Sequence, residues 1–299
     1  MLDMCKSLYS RDDQGVVLLK AMFILGILAI VTVLIAGVGL YLVFGSGIKG
    51  DLKEMLGLDH DNKVAVVYIE GKMIADKSND PTDDGAAFSS EVVRAIRKAT
   101  ADDSIKAIVL RVNSPGGTPV AAEEIIAQIN RTKAKKPVIV SMGDSATSAA
   151  YYVSASADKI FANPDTFTGS IGVIWVFKNK TRYYNEEGIN FYIAKSGNYK
   201  DVGADWRGLS ENEKSYIQSI INESYERFVT AVATGRNLPE NQIRAIADGR
   251  VMTGTSAKSM GLVDEIGGLY DAIEYAAKLG GIKGEPVIVH MNEPGSKGT

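Results

Sequence analysis

The chain has 299 residues and a near-balanced net charge of −3, with 23% of its residues charged. That length suits one or two domains with a sizeable core, and the charge balance offers no basic face to a nucleic acid. The single cysteine, Cys5, excludes an intramolecular disulfide framework. One cysteine and two distant histidines give no metal-ligand spacing, so no metal and no cofactor are expected.

Residues 1–20 form a short polar tail. Residues 21–44, "AMFILGILAIVTVLIAGVGLYLVF", carry no charge over 24 positions. As a helix this run would measure about 36 Å against a hydrocarbon core of about 30 Å. It exceeds the roughly 7–15 residues of a cleaved signal segment, so an uncleaved membrane span is expected. Lys6, Arg11 and Lys20 precede it, and Lys49 and Lys53 follow. This slight bias favours a cytoplasmic N-terminus, with the remainder outside the cytoplasm at the cell membrane. Residues 45–62 read as a Gly- and charge-rich linker.

From residue 63 the pattern is α/β. Strands are expected at 63–71, 105–113, 137–143, 159–163, 169–177 and 189–197. Helices are expected at 89–102, with Ser89 as its cap, and at 119–134, 210–236, 239–248 and 269–279. Strands alternating with helices imply a parallel or mixed sheet covered by helices. One globular domain is expected over 63–285, followed by a C-terminal tail at 286–299.

Two stretches carry chemistry. "NSPGG" (113–117) sits between a strand and a helix, where paired glycines can present N–H groups to an anion or oxyanion. By itself it reads first as an ordinary tight turn. "GDSATSAAYYVSASAD" (143–158) holds Ser145, Thr147, Ser148, Ser154 and Ser156, with Tyr151 and Tyr152. A strand, a turn and a serine at a helix start repeat the logic of a nucleophile elbow, although G-x-S-x-G is absent. Ala149 could lend its N–H to an oxyanion. Small residues packing a helix on a sheet would read the same way.

A serine nucleophile needs a base. His60 lies in the linker and His290 in the tail, both places where chains are mobile. A lysine buried enough to lose its proton can replace histidine. Lys195 and Lys200, in "AKSGNYKDVGAD" (194–205), are the candidates, and residue types alone do not separate them.

Together, "VNSPGG", "SATSAAYYVSASADKIFANPDTFTGSIGVI", "KSGNYKD" and "DGRVMTGTSAKSMGLVDEIGG", in this order behind one apolar segment, resemble the short membrane-anchored signal peptide peptidases of peptidase family S49. The resemblance covers about residues 60–280. It implies a Clp/crotonase-like spiral of β-β-α units preceded by one transmembrane helix. It makes Ser148 the nucleophile, Lys200 the general base and Ser170 the hydroxyl that orients the lysine. It puts the oxyanion hole at Gly116 or Gly117 together with Ala149, and a substrate groove along Ile171, Val173 and Ile174. The family often has glycines where this chain has Ala149 and Ala150. The resemblance also implies a homo-oligomer whose active sites are shared between protomers, cleaving remnant signal peptides and other unfolded or membrane-released peptides. Two other readings are a crotonase-like acyl-thioester enzyme and a non-catalytic membrane scaffold of the same fold.

Overall fold

The computed structural model describes residue 22, residues 26–28, 30–33, 62–77 and 85–293. The chain divides into a unit at Met1–His60 and a second at Asp61–Thr299. In the first, the described residues are helical, and Thr32 Oγ1 donates to the carbonyl of Leu28 at 2.6 Å. Among the described residues no helix is long and apolar enough to cross a membrane. Most of the expected span at 21–44, the tail at 1–20 and nearly all of the linker lie outside them.

The second unit is built on a mostly parallel sheet. Its path runs β10 (Val287–His290), β1 (Lys63–Glu70), β4 (Ile105–Ser114), β5 (Val138–Thr147), β6 (Lys159–Ala162) and β9 (Glu265–Ile266). A strand covered on both faces reads as a continuous apolar run, and β1 shows why. Ala65, Val67 and Ile69 enter the larger core, whereas Val64 and Val66 enter a smaller one on the other face. The larger core is closed by α1 (Ser89–Ala101), α2 (Pro119–Lys133), α3 (Ala149–Ser154) and α5 (Glu211–Arg236). Helix α8 (Leu269–Leu279) seals the smaller one through Ala272, Ile273, Ala276 and Ala277.

Strand β5 changes partner along its length. Ile139–Ser141 pair with β6, whereas Ser145–Thr147 pair with β7 (Phe167–Gly169). β7 in turn pairs antiparallel with β8 (Val251–Thr253), which makes the sheet mixed. A separate parallel pair, β2 (Met73–Ile74) and β3 (Ala87–Phe88), lies beside the turn after β4 through a bridge from Met73 to Gly117. Short helices α4 (Thr181–Glu186), α6 (Glu240–Arg244) and α7 (Gly254–Ser259) complete the unit.

Several expectations need correcting. Ser89 does not cap α1: it is the first helical residue, and its hydroxyl donates to the carbonyl of Ala75 at 3.1 Å. The strand expected at 169–177 ends at Gly169, because Ser170 takes a φ of 51°. No strand forms at 189–197. A strand needs partners for its N–H and C=O groups, and beyond Ile171, whose carbonyl accepts from the Gly249 N–H at 3.1 Å, these stretches pair with no strand among the described residues. Ile174, Trp175, Val176, Tyr192 and Ile193 stay exposed. Conversely, His290 is not in a loose tail: β10 pairs with β1, and Asn292 brackets Tyr68 by accepting from its N–H at 2.9 Å and donating to its carbonyl at 3.0 Å.

Tyr151 gives a stability prediction. It is fully buried in the larger core, and its hydroxyl donates to the carbonyl of Leu262 at 3.0 Å. Tyr151→Phe strands that carbonyl, so a loss of about 1–3 kcal/mol is expected. Thermal denaturation should show Tm falling by several degrees; an unchanged Tm would contradict the assignment.

Candidate active site

Three strand ends meet at the site. The register pairs Thr147 with Gly169, so the next residues out, Ser148 and Ser170, leave adjacent strands side by side. Both have positive φ, at 54° and 51°. Non-glycine residues rarely adopt such values, and strain of this kind persists only where the surroundings impose it. At Ser148 the surroundings are hydrogen bonds. Its N–H donates to the carbonyl of Gly169 at 2.9 Å, and its carbonyl accepts from the N–H of Tyr152 at 2.9 Å. The serine therefore turns the corner from β5 into α3.

Hydrogen bonding also separates Ser148 from its hydroxyl neighbours. Ser154 and Ser156 each donate at 2.7 Å to backbone carbonyls of their own helical turn, those of Ala150 and Val153. Thr147 donates to the carbonyl of Pro115 at 3.1 Å. The Ser148 hydroxyl has no partner among the described residues, and Ser148 lines a cavity.

The turn after β4 faces this serine. Gly116 has a φ of 105°, and a Cβ there would lie 2.8 Å from the Ser148 Cβ and 3.0 Å from the Ala149 nitrogen. Its own N–H is committed to the Ser114 hydroxyl at 3.1 Å. Gly117 differs. Met73 donates to the Gly116 carbonyl at 2.9 Å and accepts from the Thr118 N–H at 2.9 Å. In a parallel bridge this pattern turns the middle residue's N–H away from its partner strand. The Gly117 N–H thus points away from Met73. Ala149 opens α3, so its N–H has no acceptor within the helix.

The cavity measures about 90 Å³. Ser148, Ala149 and Gly117 form one side, and Gly172, Val173 and Ile174 another. Ile171 does not contribute, being fully buried in the core. The remaining wall is Tyr152 with Ser224 and Phe228 of α5, the two rings lying 4.6 Å apart. Tyr152 donates its hydroxyl to Glu123. Burial, helped by that bond, pushes the phenol well above its ordinary range. Tyr151, by contrast, is buried in the larger core. Ser224 and Phe228 were not foreseen as site residues; in sequence they belong to the periodic face of a long helix, and only its crossing over α3 brings them here.

The two lysines separate cleanly. Lys195 Nζ lies 2.7 Å from Asp201 Oδ1 and donates to the Asn198 carbonyl at 3.2 Å, so its ammonium is engaged. Lys200 is exposed, and its amine has no partner among the described residues. It does not line the cavity of its own chain. His290 bonds the Tyr68 hydroxyl at 2.8 Å on β10, three strands from β5. His60 lies outside the described residues.

A larger cavity of about 770 Å³ lies between α8 and β10, lined by Tyr270, Lys278 and Ile288 among others. It holds no serine, threonine or cysteine, so chemistry and not size identifies the site.

A strained serine at a strand-to-helix corner, faced by unspent backbone N–H groups, defines a serine hydrolase of the acyl-transfer type. The model of peptidase family S49 matches residues 130–283, and that of the Clp protease family matches 79–167. The chain is 34% identical over 287 residues, 93% of its length and 88% of the relative's, to a putative protease of Methanocaldococcus jannaschii. It is 37% identical over 199 residues, 66% of this chain and 58% of the relative, to a putative signal peptide peptidase of Enterococcus faecium. It is 33% identical over 233 residues, 77% of this chain and 34% of the relative, to a chloroplastic serine protease of Arabidopsis thaliana. The chain belongs to peptidase family S49: it is a serine peptidase with a Clp-protease-like α/β fold and a mixed sheet.

Proposed function

We propose that this protein is a membrane-anchored serine endopeptidase with a Ser-Lys dyad, acting on remnant signal peptides and other unfolded or membrane-released peptides. The observation that carries the reading is Ser148, held at positive φ with its hydroxyl unspent at the cavity. Ser148 attacks the scissile carbonyl, and Lys200 takes its proton. The oxyanion is held by the N–H groups of Gly117 and Ala149, since that of Gly116 is already bonded to Ser114. Lys200 then protonates the leaving amine, and water hydrolyses the acyl-enzyme with Lys200 again as base. Ser170, beside Ser148 in register, orients the lysine.

The exposure of Lys200 favours a base lent by a neighbouring protomer in a homo-oligomer. So do the exposed apolar stretches at 174–176 and 189–193, which pair with no strand among the described residues, because a monomer rarely keeps so much apolar surface in water. Residues 21–44 are the anchor, placing the peptidase domain outside the cytoplasm. The small cavity, walled by Val173, Ile174 and Phe228, suits the short apolar side chains of a signal peptide.

The direct experiment incubates the full chain in detergent with synthetic signal peptides and with a folded protein. Cleavage within the peptides, with the folded protein left intact, is expected; uncut peptides would overturn the reading. The pH dependence follows from the base. An amine accepts a proton only when neutral, so the rate should climb with pH on the alkaline side and fall as the medium is acidified. A rate already maximal near about pH 6.5, where an unperturbed histidine titrates, would point to another base.

A further inference from the structure

Lys200 sits in a run of tight turns that no strand or helix supports. Its N–H donates to the Gly197 carbonyl at 3.1 Å, and that of Val202 to Tyr199 at 3.1 Å. Such turns are soft unless something grips them. The grip falls on the next residue, Asp201, whose side chain is only 9% exposed. Arg207 donates from Nε to Asp201 Oδ2 at 3.0 Å and from Nη2 to Oδ1 at 2.8 Å. The same Nη2 reaches the Asp201 backbone carbonyl at 3.2 Å.

The other edge of this guanidinium is also occupied. Nη1 donates to Glu213 Oε2 at 2.9 Å, and Nη2 to Oε1 at 2.6 Å. Glu213 belongs to the capping box that starts α5, accepting from the Ser210 N–H at 2.8 Å. The two carboxyls are held below the usual carboxylate range by their hydrogen bonds to Arg207, Glu213 at about 2. The Glu213 pairing is therefore complete above the ordinary carboxylate range and is lost only as pH falls toward about 2. Only a planar fork can hold two carboxylates edge by edge; an ammonium cannot. Farther along, α5 packs on the nucleophile's helix: Phe228 meets Tyr152 at 4.6 Å, and a Cβ on Gly235 would fall 2.0 Å from the Ala155 carbonyl oxygen.

We propose that Arg207 is a positioning residue for Lys200, a role that presupposes Lys200 as the base: its guanidinium pins the Lys200 turn, through Asp201, to the capped start of α5, so that the amine is presented to the neighbouring protomer's site from a packed helix and not from a free loop. The clamp fixes where the amine stands, and misplacement of a reacting group by about 1 Å can cost on the order of 100-fold in rate.

The test is a double-mutant cycle in the full-length detergent-solubilised protein, on an activated ester substrate. Arg207→Met should lower kcat by roughly 10- to 100-fold with KM within about twofold, and Arg207→Lys should fall between. In a Lys200→Ala background, Arg207→Met should cause no further loss. An equal fold-loss in both backgrounds, or no loss in the wild-type background, would overturn the proposal. Should Arg207→Met not fold, Glu213→Gln loosens the far edge of the clamp and enters the same cycle with the same expectations. Full activity of Lys200→Ala by itself would sink the dyad instead, and the role of Arg207 with it.

Discussion

Ser148→Ala and Lys200→Ala are each expected to reduce peptide hydrolysis by at least about 10⁴-fold while leaving the chain folded, as in other enzymes whose nucleophile and base act as a unit. Neither side chain has a hydrogen-bond partner among the described residues, and Lys200 is exposed, so neither truncation strands a buried group. Loss of activity with an unchanged Tm separates this from unfolding. The proposed sharing of sites between protomers gives the test a sharper form. Mixed after dissociation and reassembly, the two inactive proteins should regain activity. An interface pairing an intact Ser148 with a neighbour's intact Lys200 forms at random on the order of a quarter of the time in an equal mixture. No recovery from a mixture shown to have exchanged subunits would place both groups in one protomer.

Gly116→Ala is expected to lower kcat by about 10²–10³, the cost of removing an oxyanion donor, with the fold retained. A side chain at a φ of 105° is strained, and the new Cβ would stand 2.8 Å from the Ser148 Cβ and 2.9 Å from the Thr147 carbonyl oxygen. The corner carrying Ser148 has to move, and the Ala149 N–H moves with it. Gly117→Ala should fail differently. Its Cβ would lie 1.9 Å from the Met73 carbonyl oxygen, against backbone that cannot rotate away, so folding yield should fall along with activity. Kinetics paired with Tm for the two variants separates the effects; wild-type kcat in Gly116→Ala would refute the assigned geometry.

What could be read in the sequence was local. The strand at 105–113, the paired glycines after it and the helix opening at Pro119 are all present, as is the helix started by Ser210. Each depends on residues within a few positions of one another. What could not be read depends on distant partners. Lys195 and Lys200 look alike in the chain, and only the fold of the loop sets Lys195 against Asp201. Phe228 joins the site because α5 crosses α3. Ile171 and Ile174 share one apolar run, yet the turn at Ser170 sends the first into the core and leaves the second at the cavity. The strands expected at 169–177 and 189–197 have the right composition and lack a partner strand among the described residues. Of the two alanines that stand where the family often has glycines, Ala149 lines the cavity and Ala150 is core.

The most direct test of the Ser148–Lys200 assignment is covalent labelling by a serine-reactive fluorophosphonate probe, with the modified residue located by peptide mass spectrometry. The account predicts a single adduct on Ser148 that forms in the wild-type protein and is lost in Lys200→Ala. An adduct on another serine, or undiminished labelling of Ser148 in Lys200→Ala, would contradict it.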